Sequence, residues 1–166
     1  MKRILVLLFS VVVVFCSCIN RAEQAALYND HIIEYESRIM KAFDDLDSTF
    51  SKPDENAEQM EYAFADLQAK IKMSKLALDS IGPFRRDPTL QKAARELFAE
   101  LDIIVDTDYS KLIGLIKLPD SLRVQPEIAD SQQVVQLRIE GRMGQVVNRF
   151  IEVQREFGNK YNITFE

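Results

Sequence analysis

Apolar residues recur along this chain in steps of four and three, and they do so in four separate stretches. From about Ala22 to Phe50 the series is Tyr28, Ile32, Tyr35, Ile39, Ala42, Leu46 and Phe50. Steps of this size keep every member on one face of a 3.6-residue repeat, so the stretch predicts an amphipathic helix. Pro53, Asp54 and Glu55 suit a helix start, because proline fits the first turn and carboxylates favour the dipole there. The stripe that follows is Met60, Phe64, Leu67, Ile71, Ser74, Leu78 and Ile81, and Gly82-Pro83 ends it. Asp87-Pro88 reads as an N-cap and first helical residue. The third stripe, Leu90, Ala94, Leu97, Leu101, Val105, Tyr109, Leu112 and Ile116, contains extra steps of four and departs from a strict coiled coil.

Pro119 closes that helix, and residues 118–125 form the longest connection. Pro126-Glu127 opens a fourth, with Ile128, Gln132, Val135, Ile139, Met143, Val146, Phe150, Val153 and Phe157 on its inner face and a stutter around Ile139. Gly158-Asn159 is the expected stop, and Tyr161 to Glu166 has a β-like composition too short to assign. Helices of roughly 25–30 residues run about 40 Å. Short connections make neighbours antiparallel. The expected fold is therefore all-α, an up-down-up-down antiparallel four-helix bundle preceded by a cleaved lipoprotein signal peptide.

The signal peptide follows from a fifth apolar run with no helical stripe. Lys2 and Arg3 precede Ile4 to Phe15, twelve residues that are apolar apart from Ser10. A membrane span needs about 20 such residues, so this run fits the core of a signal peptide instead. It ends in Val14-Phe15-Cys16-Ser17-Cys18, which resembles a bacterial lipobox with small Ser17 before the modified cysteine. Cys16 is the poorer candidate, since bulky Phe15 precedes it, and Phe15 itself departs from the leucine-like residue usual three places before the modified cysteine. The expected organisation is residues 1–17 as signal peptide, 18–24 as lipidated tether and 25–166 as the helical domain. Lipid attachment falls on Cys18: its sulfur takes a diacylglycerol, the preceding peptide bond is cut, and the new amine accepts a further palmitate-class chain. Two or three chains anchor stably where one is marginal. Ile19 is not the aspartate that resembles an inner-membrane retention signal, which favours the outer membrane.

Charge narrows the partners. The full chain carries a formal net charge of −5, and loss of Lys2 and Arg3 with the signal leaves −7. Such an acidic body has no electrostatic footprint for nucleic acid and would be repelled by an anionic lipid surface. No cysteine lies beyond Cys18, so the domain has no disulfide framework.

Residue constellations that carry chemistry are few in this chain. Di-iron bundles use Glu-x-x-His pairs, and the single histidine, His31, has no glutamate three residues earlier. It flanks the first stripe and reads as an edge residue; pairing it with Met143 around a haem has no specific support. Asp44, Asp45 and Asp47 form the densest acidic cluster, but Phe50 and Asn56 stand where a calcium loop starting at Asp45 needs Gly and Glu. The bland alternative is a solvated helix end whose charge opposes the dipole. Asp102 and Asp106 are helix neighbours with Asp108 close by, and paired carboxylates can do acid/base work when burial separates their pKa values. The plainer reading is a wet helix face. Gly141 and Gly144 each cost about 1 kcal/mol relative to Ala inside a helix. They suggest either a bend or close helix approach that opens a pocket, or a tolerated surface pair. The expectation is no catalytic residue, no metal ligand, no cofactor site and no enzyme activity.

Three segments carry a family resemblance. They are Tyr28-Asn29-Asp30 with Ile32 and Ile33; Ile81-Gly82-Pro83-Phe84-Arg85-Arg86-Asp87 leading to Leu90 and Ala93-Ala94-Arg95; and Phe157-Gly158-Asn159-Lys160-Tyr161-Asn162-Ile163. With the lipobox, the chain resembles a family of uncharacterised helical surface lipoproteins of spirochaete and Bacteroidetes-type bacteria. Leu101-Asp102-Ile103 departs from the more aromatic stretch expected there. The resemblance implies a surface or envelope location and supplies no catalytic residue. The leading expectation is a membrane-anchored, non-catalytic interaction or structural module that meets an envelope or extracellular protein partner. The alternative is a bundle that binds a small apolar ligand or cofactor near Gly141, Gly144 and Asp108.

Overall fold

The computed structural model describes residues 2–51 and 57–163, with side chains described from Arg21 onward. It is helical throughout that range, without a β-strand among the described residues. The elements are α1 (Lys2–Thr49), α2 (Ala57–Ile81), α3 (Thr89–Ile104), a π-helical turn (Val105–Tyr109), α4 (Ser110–Ile116), α5 (Asp120–Arg123) and α6 (Pro126–Tyr161). α3, the π turn and α4 follow one another without a break and correspond to the third stripe.

The stripes are the core. Ile32, Ile39, Ala42 and Leu46 of α1, Met60, Leu67, Ile71 and Leu78 of α2, Leu90, Ala94, Leu97 and Leu101 of α3, and Val135, Ile139, Val146, Phe150 and Phe157 of α6 are buried in one cluster. Full burial of a Leu, Ile or Phe side chain contributes about 1.5–3 kcal/mol, which is why amphipathic helices of modest propensity order themselves here. α1 packs on α2, α2 on α3, α3 on α6, and α6 back on α1. Contacts between α2 and the α3–α4 stretch show their relative direction. Asp79 meets Arg95, Lys75 meets Asp102, Gln68 meets Asp106 and Glu61 meets Lys117, so one number rises as the other falls.

Three features differ from the sequence reading. First, α1 begins well before Ala22 and passes through Cys18 without interruption. The side chains of Arg21 and Gln24 already touch the body: Arg21 lies 5.2 Å from the centre of the Tyr161 ring, and Gln24 Oε1 accepts a hydrogen bond from Arg85 Nη2 at 2.8 Å. Second, α6 does not stop at Gly158-Asn159 but continues to Tyr161. Phe157 and Tyr161 sit one turn apart and both pack on Phe84, which holds the helix together past the glycine. Asn162 then takes the left-handed conformation (φ 57°), and the Ile163 N–H reaches back to the Gly158 carbonyl at 2.9 Å. Third, the connection 118–125 holds the short α5, pinned by Arg123, whose Nη1 donates to the Ile116 carbonyl at 2.9 Å. The Pro53-Asp54-Glu55 start of the second helix lies outside the described residues, as do residues 164–166 of the tail.

α3 also starts one residue later than the sequence suggests, with Pro88 at the N-cap and no side-chain cap bond from it, while Asp87 before it meets the first turn. The Asp87 Oδ1 accepts from the Thr89 N–H at 3.1 Å and from the Thr89 hydroxyl at 2.6 Å. Burial alone would raise its pKa, but hydrogen bonds from Lys160, Thr89 and Tyr161 outweigh that and hold the carboxyl well below the usual carboxylate range. The turn before it, Phe84 to Asp87, closes with the Asp87 N–H on the Phe84 carbonyl at 2.7 Å.

Gly141 and Gly144 are exposed on α6, and a Cβ built on either meets nothing within 4 Å. No close helix approach requires them, and the reading as a tolerated surface pair stands. Replacing Gly141 or Gly144 by Ala should therefore raise stability in urea denaturation by up to about 1 kcal/mol each. A loss of stability at either position would mean that the backbone there is not the unstrained helix described.

Candidate functional site

Among the described residues, the most irregular helical stretch also holds the most buried acid. From Leu97 to Tyr109 the third stripe takes three successive steps of four. Each overshoots a 3.6-residue turn by about 40°, so an unbroken α-helix would rotate Tyr109 away from the core. The π turn at Val105–Tyr109 takes up the excess, because i→i+5 bonding accommodates an extra residue per turn. Val105, Asp108 and Tyr109 all remain buried as a result.

Asp108, 3% exposed, faces α6. Arg142 donates to it from Nη1 at 2.7 Å and Arg138 from Nη1 at 3.4 Å, while Arg142 Nη2 stands 3.6 Å from Glu100. The arginines are four residues apart, one before and three after Ile139, on the edge of α6 that meets α3. A buried carboxylate is tolerated only when paired, and here two partly hydrated guanidinium groups supply that pairing.

Tyr109 faces α1. Its hydroxyl donates to Asp47 Oδ2 at 3.3 Å, and its ring packs against Phe43 and Phe50, with centroids 5.3 and 6.3 Å away. Burial, with the nearby Asp47 charge, raises the phenol far above its ordinary pKa, so it remains a donor. Asp47 is itself raised, first by burial and then by the charge of Asp44, against the lowering effect of the Tyr109 hydrogen bond. Beside this pair lies an open groove of about 370 Å³ between α1, the π turn with α4, and α6, with Phe50, Leu112, Ile139 and Met143 as its apolar wall and Gln136 and Glu140 at its polar edge. The arrangement can hold a small, largely apolar molecule against a hydrogen-bond acceptor.

The residues singled out from sequence are dispersed. Asp102 and Asp106 face α2, where Lys75 and Gln68 meet them at 2.6 and 3.0 Å, so they do not form a pair with Asp108 on the other side. Asp44, Asp45 and Asp47 are all exposed, and of the acidic cluster Asp47 alone lines the groove. His31 is exposed and sits sixteen residues before Asp47, about 24 Å along α1, so it does not meet Met143. Among the described residues no three His, Cys, Asp or Glu side chains group as metal ligands, and no helix is long and apolar enough to cross a membrane. The Cys18 side chain lies outside the described residues. Tyr109 and its groove were missed; the run of four-residue steps next to Asp108 was the signal available.

Two substitutions test these electrostatics. Asp108→Ala should lower stability by about 1.5–3 kcal/mol in urea denaturation, the range for a hydrogen bond to a charged group; an unchanged midpoint would mean the ion pairs carry no weight. For Asp47 the sign is opposite. An acid whose pKa is raised on folding weakens the folded state above that pKa, and the penalty disappears once the pH falls below the unfolded value. Asp47→Asn keeps the acceptor for Tyr109 and removes a charge from the C-terminal turn of α1. It should stabilise by about 0.3–1 kcal/mol at pH 7, and the difference should vanish near pH 3. A neutral-pH loss would contradict this.

Compared with known proteins, the chain matches no family model, no curated protein and no solved structure.

Proposed function

We propose that this protein is a bacterial envelope lipoprotein, held at the outer membrane through acylated Cys18, whose body is an up-down-up-down antiparallel four-helix bundle acting as a non-catalytic interaction module. Support for the anchor is the charged start, the twelve-residue apolar run and Ser17-Cys18. Support for the bundle is the closed sequence of helix contacts, α1 to α2 to α3 to α6 to α1, together with the opposed direction of the α2 contacts.

One observation carries the interaction reading. The outer face of α2 exposes Tyr62, Met73 and Leu76 at 75, 68 and 63%. With exposed Ala65 and Ala69 they form a second stripe at steps of three and four, on the side away from the core. Scattered exposed apolar residues are ordinary, but a continuous apolar ridge marks a place where another surface docks. Grooves flank it on both sides. One, of about 280 Å³, includes Tyr35, Ala69 and Met73, and the other, of about 480 Å³, includes Lys72, Leu76 and Asp79. The partner is an envelope or extracellular protein with a complementary apolar stripe.

A second reading rests on the groove beside Tyr109, which has the size and lining for a small apolar ligand. A lipid or chromophore that co-purifies with the protein and is lost on Ile139→Trp would support it.

A photo-cross-linking residue placed at Met73 in intact cells should yield a discrete adduct whose protein component is identified by mass spectrometry. The same residue at exposed Asp130 should not. Equal adduct patterns at the two positions, or none at Met73, would overturn the interaction reading.

A further inference from the structure

The acidic body has one basic end. In the Phe84–Asp87 turn, Arg85 and Arg86 occupy the two central positions with φ of 48° and 72°. Positive φ at both places suits Asn-Gly, whereas arginine there is strained. Both side chains are exposed, as are Arg21 of α1 and Lys160 of α6 on the same end. Three of them are brought together by the aromatic packing beneath, with Arg85 over Phe84 and Arg21 and Lys160 over Tyr161, and Arg86 follows Arg85 in the turn. Asp87 is occupied by Lys160 at 2.8 Å and by the Tyr161 hydroxyl at 2.9 Å, and Glu23 is the nearest other acid in sequence to Arg21. Arg86 makes no polar contact with another described residue. The opposite end holds more acid than base, with Asp44, Asp45 and Asp47 at the close of α1 and Glu58 and Glu61 at the start of α2 against Lys41 and the Lys117 that pairs with Glu61.

The position of this end relative to Cys18 gives the charge its meaning. α1 is one helix from Cys18 to Gln24, the residue that Arg85 bonds, and six residues of helix span about 9 Å. The headgroup layer of a leaflet is about 5–7 Å thick. Acyl chains on Cys18 would therefore bring the Arg85-Arg86 turn to the depth of lipid phosphates, within a Debye length of about 8 Å. We propose that this end of the body is a docking surface for anionic phospholipid headgroups, with Arg85 and Arg86 as the principal phosphate contacts and Arg21 beside them. The inference rests on the anchor at Cys18. It holds the body upright, since the basic end is drawn to the surface while the acidic far end is repelled, and it leaves the α2 ridge clear for a partner.

The test uses the full membrane-extracted protein on vesicles of phosphatidylcholine alone and on vesicles of equimolar phosphatidylcholine and phosphatidylglycerol. Hydrogen exchange at the Phe84–Asp87 amides is followed by mass spectrometry. Exchange should be slower by roughly thirtyfold on the anionic vesicles, as two arginines at a charged surface imply, and high salt should remove the difference. Arg85→Gln/Arg86→Gln should abolish it, Arg85→Lys/Arg86→Lys should retain it, and unchanged circular dichroism would show that each variant folds. Equal exchange on both vesicle types would overturn the docking surface. Failure of the protein to float with neutral vesicles would instead sink the anchor. The docking surface is then decided by flotation with anionic vesicles, which supports it if present and overturns it if absent.

Discussion

Phe84 sits in a turn between two helices, yet its ring is what binds the others together. It lies 5.4 Å from Tyr28 of α1, 5.7 Å from Phe157 and 5.0 Å from Tyr161 of α6. Offset and edge-on aromatic pairs of this kind contribute about 0.5–1.5 kcal/mol each beyond their buried area. The hydrogen bond from the Tyr28 hydroxyl to the Gly82 carbonyl, 2.7 Å, fixes the same turn from the α1 side. Stripes alone allow helices to slide past one another by a turn. The aromatic clasp removes that freedom, because one ring can meet Tyr28, Phe157 and Tyr161 together in one register only. Everything farther along the helices inherits its alignment from this end, including the meeting of Asp108 with Arg142 and of Tyr109 with Asp47.

The clasp also accounts for the odd backbone of its turn. Gly82 (φ 65°) lets the chain reverse immediately after α2, and Phe84 must then point inward while Asp87 turns back to meet the first turn of α3. Arg85 and Arg86 bridge that tight path with left-handed backbones and outward side chains. A structural requirement thus concentrates positive charge at the end from which α1 leads back to Cys18. In an otherwise acidic protein, the same few residues set the register of the core and give the proposed membrane-facing end its sign.

Much of the fold was legible in the sequence because burial of an apolar stripe dominates the energetics of an amphipathic helix. Ile32, Leu67, Leu101 and Phe150 are enclosed as their spacing predicts, whereas Phe98 and Ile104, which lie off the predicted stripe, are enclosed as well. What escaped was set by tertiary contact. Gly158 reads as a helix stop by propensity, but Phe157 and Tyr161 either side of it are bound to Phe84 and carry the helix on. The π turn was visible only as surplus four-residue steps, and nothing local shows that Asp108 would find arginines thirty and thirty-four residues away. The groove beside Tyr109 is assembled from α1, α4 and α6, so no single segment announces it. Gly141 and Gly144, conspicuous by composition, face open space.

Intact-mass analysis of the protein extracted from bacterial membranes tests the anchor most directly. The expected species begins at Cys18 and is heavier than the bare polypeptide by one diacylglycerol and an amide-linked acyl chain. A chain that still begins at Met1, or one that ends processing with an unmodified Cys18, would contradict it.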